Sequence, residues 1–318
     1  MFWLLFSYKL QWGVMIINSN SKSKAYLYLI ITTCVWGSLY VVSKYVMASV
    51  PPFTVIFVRY LVAGGVLLIL LKTKKLQNAE RGKIDRKDYK YIVFIGAVGY
   101  FLSISAQFFG TKLSNAGLAS LINSLNPIFM LVFAVPFLKE KITWTKIISV
   151  AAALIGVYAI VGGGGTHGEM LGILLSFISV VTWSLTSVVV KRFTQKYDPL
   201  IITTYSILIA LVCTVPFSAY ELATTPNVPI FHPGILCGLL YIGLIGTALT
   251  NVLWNLSLSM IEAGRCALFY PVQPMVAAIL GSLFLGEVIH FSFVIGAAFI
   301  LGGVVFSVLS DRTRQKSE

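Results

Sequence analysis

Long apolar runs, separated by short polar connections, dominate the chain from end to end. A helix that crosses the hydrocarbon core of a bilayer needs about 20 consecutive apolar residues. Ten stretches meet that requirement: Tyr26–Met47, Phe53–Leu71, Tyr91–Gly110, Ala116–Leu138, Trp144–Gly163, Met170–Val190, Pro199–Ala219, Pro233–Trp254, Gly264–Gly286 and Phe291–Leu309. They are about twice as long as a barrel strand and lack its dyad alternation. The pattern therefore predicts an all-α integral membrane protein with ten transmembrane helices.

The polar connections carry a second message. Every Lys and Arg except Lys44, Arg59 and Lys112 falls before span 1, in an even-to-odd connection (2–3, 4–5, 6–7 or 8–9) or within two residues of its edge (Lys146, Arg265), or in the tail. Basic loops stay cytoplasmic, so both termini are expected inside the cell, with the plasma membrane as the site. A missed or invented span would scramble this alternation.

Composition agrees: 58% of residues are hydrophobic and 11% charged, against about 25% charged in a soluble domain. The net charge of +13 is then a topology signal, and a nucleic-acid partner is excluded. The expected partners are the lipid bilayer and a small-molecule substrate; the sequence leaves the oligomeric state open. The first 20 residues have the wrong charge order and no small-residue cleavage site for a signal peptide, and read as an interfacial segment or the product of an upstream start. Cys34, Cys213, Cys237 and Cys266 show no disulfide or metal spacing. His167, His232 and His290 fall in outer connections, and Gly162–Gly165 lacks the Lys-Ser/Thr element of a phosphate loop. No metal or cofactor is expected.

A constant offset of 147 residues pairs Trp36 with Trp183, Lys44 with Lys191, Pro52 with Pro199, Gly96 with Gly243, Gly99 with Gly246, Pro127 with Pro274, Glu140 with Glu287 and Gly156 with Gly303. Each copy holds five spans, an odd number, so the second enters the membrane upside down. Two inverted halves are an architecture of alternating-access transporters. The expected organisation is a cytoplasmic segment 1–25, a first five-helix repeat 26–163, an outer linker 164–169, a second, inverted repeat 170–309 and a cytoplasmic tail 310–318.

The doubled order Trp36-Gly37, Lys44, Pro52, Arg59, Ala116-Gly117, Pro127, Leu138-x-Glu140, Gly156 and Trp183, Pro199, Ala263-Gly264, Pro274, Leu285-x-Glu287, Gly303 resembles the EamA family of the drug/metabolite transporter superfamily, from Ala25 to Leu309. The resemblance implies a permease or exporter of small metabolites, often amino acids, with substrate held between the halves. The second copy departs from the first at Ser206, where the first has Arg59, and at Ser184, where it has Gly37.

Interrupted helices in corresponding positions point to a binding site. A proline inside a helix frees the carbonyl four residues earlier, so Pro127 is expected to free that of Asn123 and Pro274 that of Tyr270. Asn123, Asn126, Tyr270 and Gln273 flank these breaks, and Asn126 pairs with Gln273 under the repeat. These amides either line a cavity or stitch helices together. Trp36 and Trp183, mid-span and away from the interfacial belts, with Tyr40 one turn on, are candidate cavity walls. Arg59, deep in span 2, either binds a substrate carboxylate or pins carbonyls at a helix break. Glu140 and Glu287 precede spans 5 and 10, as helix caps or as gates.

No Asp or Glu falls at mid-membrane, where a proton relay would stand, so uniport or exchange is favoured. The expected function is alternating-access transport of a small neutral or zwitterionic metabolite, such as an amino acid. A nucleotide-sugar or organophosphate exchanger would need clustered cations for phosphate, and an integral-membrane lipid-modifying enzyme would need converging acids, histidines or an activated serine. The spans show neither. A non-transporting assembly protein remains as a further alternative.

Overall fold

The computed structural model describes residues 21–75, 84–114, 116–139 and 167–286, with isolated helical positions between 144 and 155 and between 291 and 302. The helices are α1 (Ser21–Met47), α2 (Pro52–Lys75), α3 (Arg86–Leu113), α4 (Ala116–Asn123), α5 (Asn126–Leu138), α6 (His167–Thr194), α7 (Pro199–Thr224), α8 (Pro233–Met260), α9 (Ala263–Ala267) and α10 (Val272–Leu285). Seven helices among the described residues are long and apolar enough to cross a membrane. In that tally α9 and α10 form one span, Ala263–Leu285, whereas α4 and the shorter apolar α5 stand apart. Spans 5 and 10 fall largely outside the described residues, although Trp144, Ile147, Ile148 and Phe291, Val294, Ile295 are helical.

Three helices, α2, α7 and α8, start at a proline, which is preset for the first helical position, and the caps of α7 and α2 differ. The Asp198 side chain accepts from the backbone N of Leu200 at 2.8 Å and caps α7 from within its own strand of sequence. At α2 the equivalent residue is Pro51, and the cap is supplied from a distance. Glu221, in the last turns of α7, accepts from the backbone N of Phe53 and Thr54 at 3.1 and 2.7 Å. A carboxylate satisfies those N–H groups and suits the positive helix end.

The halves interlock through glycines. A Cβ at Gly96 on α3 would lie 2.7 Å from the backbone O of Ser206 on α7, and one at Gly243 on α8 would lie 2.8 Å from Val62 on α2. One at Gly99 would strike Thr186 on α6, and one at Gly246 would strike Leu39 on α1. Shifting either contact of a pair by 147 residues yields the other, which is the mark of two halves related by a pseudo-two-fold. Lysines repeat the pattern: Lys44 Nζ donates to the Ser114 carbonyl at 2.7 Å, and Lys191 Nζ donates to the Ile261 and Leu258 carbonyls at 2.9 and 2.6 Å. Lys44 thus reaches a carbonyl at the end of α3.

At the opposite end of α3 a polar staple joins the halves. Lys196 Nζ lies 2.5 Å from Asp85 and 2.6 Å from Asp88, and Tyr197 donates to Asp88 at 2.6 Å. The hydrogen bond and charge of Lys196 hold the Asp85 carboxyl below the usual carboxylate range, and the two aspartates push Lys196 upward.

Midway, α3 and α8 each unwind into nine residues of π-helix, Ile95–Ser103 and Tyr241–Leu249. Both segments contain the Gly-x-x-Gly pair. Segments of this kind widen the helix and recur at functional sites.

Candidate functional site: a central cavity between the halves

The cavity lies between α1, α2, α3, α4, α6, α8 and the α9–α10 break. Its lining includes Trp36, Leu39, Tyr40 and Ser43 of α1, Arg59 of α2, Ser103, Gln107, Phe108 and Thr111 of α3, Asn123, Ser179, Trp183, Asn251, Tyr270 and Gln273. Along α1 and α3 these residues climb toward the helix C-termini, so the cavity occupies the half of the bundle farther from the Lys196 staple.

Its floor is aromatic. Trp36 meets Trp183 edge-on at 5.7 Å between centroids and Trp254 at 5.2 Å; Tyr270 meets Trp254 at 5.1 Å, and Tyr100 meets Trp183 at 5.6 Å. Such tilted and edge-on pairs are favourable beyond the area they bury. The floor is also pinned by hydrogen bonds: Trp36 Nε1 donates to Thr250 Oγ1 at 2.9 Å and Trp183 Nε1 to Tyr270 Oη at 2.5 Å. Below it, Asn255 Nδ2 donates to Thr203 Oγ1 at 2.7 Å and Tyr26 stacks on Phe269. The path is therefore closed on the staple side.

The walls are polar. Gln107 Nε2 donates to Tyr40 Oη at 2.6 Å. Arg59 is 3% exposed; its Nε donates to Thr247 Oγ1 at 2.8 Å, and its guanidinium lies 5.1 Å from the Phe108 ring centroid. Thr247 Oγ1 donates in turn to the Ile242 carbonyl, and the Thr247 carbonyl accepts from Asn251 Nδ2 at 2.8 Å. Two buried lining atoms, Asn251 Oδ1 and Gln273 Nε2, have no hydrogen-bond partner among the described residues.

Of the residues singled out in the sequence, Trp36, Tyr40, Arg59, Asn123, Trp183, Tyr270 and Gln273 line this cavity. Asn126 stands behind the wall: its Nδ2 donates to the Asn123 carbonyl at 2.7 Å and its Oδ1 accepts from Ser184 Oγ at 2.8 Å. The proline expectation is corrected. Pro127 and Pro274 do not interrupt helices from within; each sits in the first turn of a new one, α5 or α10, after a true break at Ser124–Leu125 and at Leu268–Pro271. The Asn123 carbonyl is taken by Asn126, and the Tyr270 carbonyl by the backbone N of Gln273 at 2.9 Å. Each carbonyl thus already accepts a hydrogen bond within the protein. Arg59 bonds a hydroxyl where carbonyls were the alternative. Glu140 and Glu287 lie outside the described residues.

Gln107, Thr247 and Asn251 were not anticipated. Ser103, Gln107 and Thr111 recur every four residues on α3, as do Thr247, Asn251 and Asn255 on α8, which is one helix face. Two polar stripes on otherwise apolar spans were the available signal. Among the described residues no group of three His, Cys, Asp or Glu side chains is placed to hold a metal ion.

A helical membrane protein of two interlocked repeats around a polar cavity is the class that this fold and site define. Residues 23–162 and 170–309 each match the model of the EamA-like transporter family, and the chain belongs to that family. It is 23% identical to an uncharacterized transporter of Archaeoglobus fulgidus over 285 residues, covering 90% of this chain and 99% of that one. It is 26% identical to the uncharacterized transporter YcxC of Bacillus subtilis over 311 residues, 93% and 96% of the two chains. A solved crystal structure shares the fold with a TM-score of 0.71 at 19% identity, over 92% of this chain and 98% of that one.

Proposed function

We propose that this membrane transporter carries a small neutral or zwitterionic metabolite, such as an amino acid, across the plasma membrane by alternating access, with both termini cytoplasmic. The observation that carries the reading is a polar cavity at the interface of two pseudo-symmetric halves, closed on one side by the Trp36–Trp183–Trp254–Tyr270 floor. Exchanging the conformations of the halves would open the path below the floor and close the cavity above it. The basic connections support the orientation: the α2 end and α3 start, with Lys72, Arg86, Lys87 and Lys90, lie on the staple side, in keeping with a cytoplasmic staple side and an outward-facing cavity.

The lining is amide, hydroxyl and indole, with Arg59 the cation among the described lining residues and no carboxylate. That inventory favours passive exchange or uniport over a carboxylate proton relay. It argues against organophosphate exchange, which calls for clustered Arg and Lys, and it supplies no acid, histidine and nucleophile constellation for an enzyme.

The test is uptake and counterflow in proteoliposomes against amino acids, sugars and phosphates, with and without a proton gradient. Exchange of an uncharged or zwitterionic solute, independent of the gradient, is expected. Gln273→Ala is expected to weaken half-saturation about tenfold, equivalent to about 1.4 kcal/mol, whereas Asn126→Ala acts through stability because its bonds are to Asn123 and Ser184. Absence of exchange for every solute would overturn the reading.

A further inference from the structure

The cavity holds one buried cation whose fork is unspent. Arg59 carries five N–H donors in a rigid plane. Its Nε is bound to Thr247, while Nη1 and Nη2 make no hydrogen bond to the described protein, and no described carboxylate pairs with it. A guanidinium this deep in a membrane span is costly unless its charge and donors are answered. The partner that fits two parallel N–H groups is a planar carboxylate, bound by both oxygens.

A second atom narrows the chemistry. Asn251, one helical turn beyond Thr247 on α8, is bonded to the same residue that holds Arg59: its Nδ2 donates to the Thr247 carbonyl. That bond orients its amide and commits its Nδ2, so the acceptor Oδ1 is the end that remains, buried and unsatisfied, on a residue that lines the cavity. A buried acceptor left unpaired is unfavourable until a donor arrives. Thr247 thus ties together, on adjacent turns, a forked cation without an anion and an acceptor without a donor.

We infer that Arg59 and Asn251 form a headgroup subsite for a substrate that carries a carboxylate with an N–H or O–H donor a few atoms away. The inference rests on the transporter reading above and sharpens it: a neutral solute lacks the group Arg59 selects. The apolar remainder of the substrate lies toward the aromatic floor. Ser206 stands at the repeat-equivalent position and has a buried hydroxyl without a described partner, so the subsite belongs to one half only.

The experiment is counterflow competition in proteoliposomes, using a panel of α-amino acids, each beside its α-amide, its decarboxylated amine and its deaminated acid, with inorganic phosphate as a further competitor. In the native protein the acid is expected to compete at least tenfold better than its amide. Arg59→Gln is expected to bring that ratio within about twofold, a shift worth roughly 1 kcal/mol or more, while Ser206→Ala leaves it unchanged. Asn251→Leu is expected to erase the preference for the amino acid over its deaminated counterpart and to keep the preference of acid over amide. If Arg59→Gln does not give a monodisperse protein, Arg59→Lys keeps the charge without the fork and is expected to give an intermediate ratio. Equal competition by acid and amide in the native protein, a ratio retained in Arg59→Gln or Arg59→Lys, or phosphate outcompeting every carboxylate would each overturn the subsite and leave the transporter reading standing. No exchange by any panel member would remove both.

Discussion

Set side by side, the two halves agree where they hold each other and diverge along the polar walls of the cavity. Lys44 on Ser114 and Lys191 on Ile261 make the same bond at equivalent positions. Gly96 on α7 and Gly243 on α2 make the same close approach. The floor keeps the Trp36–Trp183 pair, but on the polar walls the correspondence lapses: Arg59 and Thr247 map onto Ser206 and Tyr100, Asn251 onto Ile104 and Gln107 onto Trp254. The duplicated glycines and lysines form a frame between the halves, which the proposed alternating access would require of both. Under the proposed transport the unduplicated polar residues would meet the substrate, and a substrate is not two-fold symmetric.

The first way to break this comparison is at the glycines, where the largest effect is expected. Gly96→Leu and Gly243→Leu would each force α3 from α7, or α8 from α2, and overpacking of this kind costs about 1–3 kcal/mol or more. Loss of monodisperse protein on size exclusion and a depressed Tm in detergent are expected for both. Gly96→Leu should suffer more, because its obstacle is the Ser206 backbone oxygen, whereas at Gly243 it is a valine side chain. Equal tolerance of both would mean that the halves are not held by these crossings.

Next in size are the lysines. Lys44→Met and Lys191→Met each remove a charge-assisted bond to carbonyls at a helix end, worth about 1.5–3 kcal/mol, and thermal unfolding should show comparable losses from the two sites. A loss at one site alone would show that the frame is not symmetric in energy.

The smallest effect is at the helix ends after the break. Lys139, at the end of α5, and Gly286, at the end of α10, both close their helices in the left-handed region, with φ of 56° and 67°. The two positions are repeat equivalents, but only glycine adopts this conformation without steric penalty. Lys139→Gly is expected to raise stability by up to about 1 kcal/mol, and Gly286→Lys to lower it by a similar amount. Thermal shift measurements on the two variants read the same cap from both halves.

The spans, the repeat and most of the cavity wall were legible in the sequence, because apolar length, basic connections and a fixed offset follow directly from what a bilayer demands. Trp36, Trp183, Asn123 and Gln273 reached the wall through that symmetry. The same symmetry concealed Gln107, Thr247 and Asn251, since a search for matched pairs passes over polar residues whose counterparts are Trp254, Tyr100 and Ile104. The prolines misled for a different reason. A proline in an apolar run reads as a mid-helix kink, but the break falls two or three residues earlier, where Ser124 and Leu125 turn the chain and Pro127 begins afresh. Side-chain capping by Asn126 and the distant cap of α2 by Glu221 depend on tertiary neighbours that no local pattern reveals.

The π-helical stretch of α3 has a consequence for how the cavity wall is aimed. Each residue in an α-helix turns the chain by about 100°, whereas the wider winding of Ile95–Ser103 advances the chain less per residue. Everything on the far side, including Gln107 and Thr111, faces inward only because of that accumulated lag. Excising a single amino acid there would swing the upper third of the helix around its axis by about 100°, like a key. It would bring Phe108 to the azimuth of Gln107 and Lys112 to that of Thr111 without altering any residue of the wall itself.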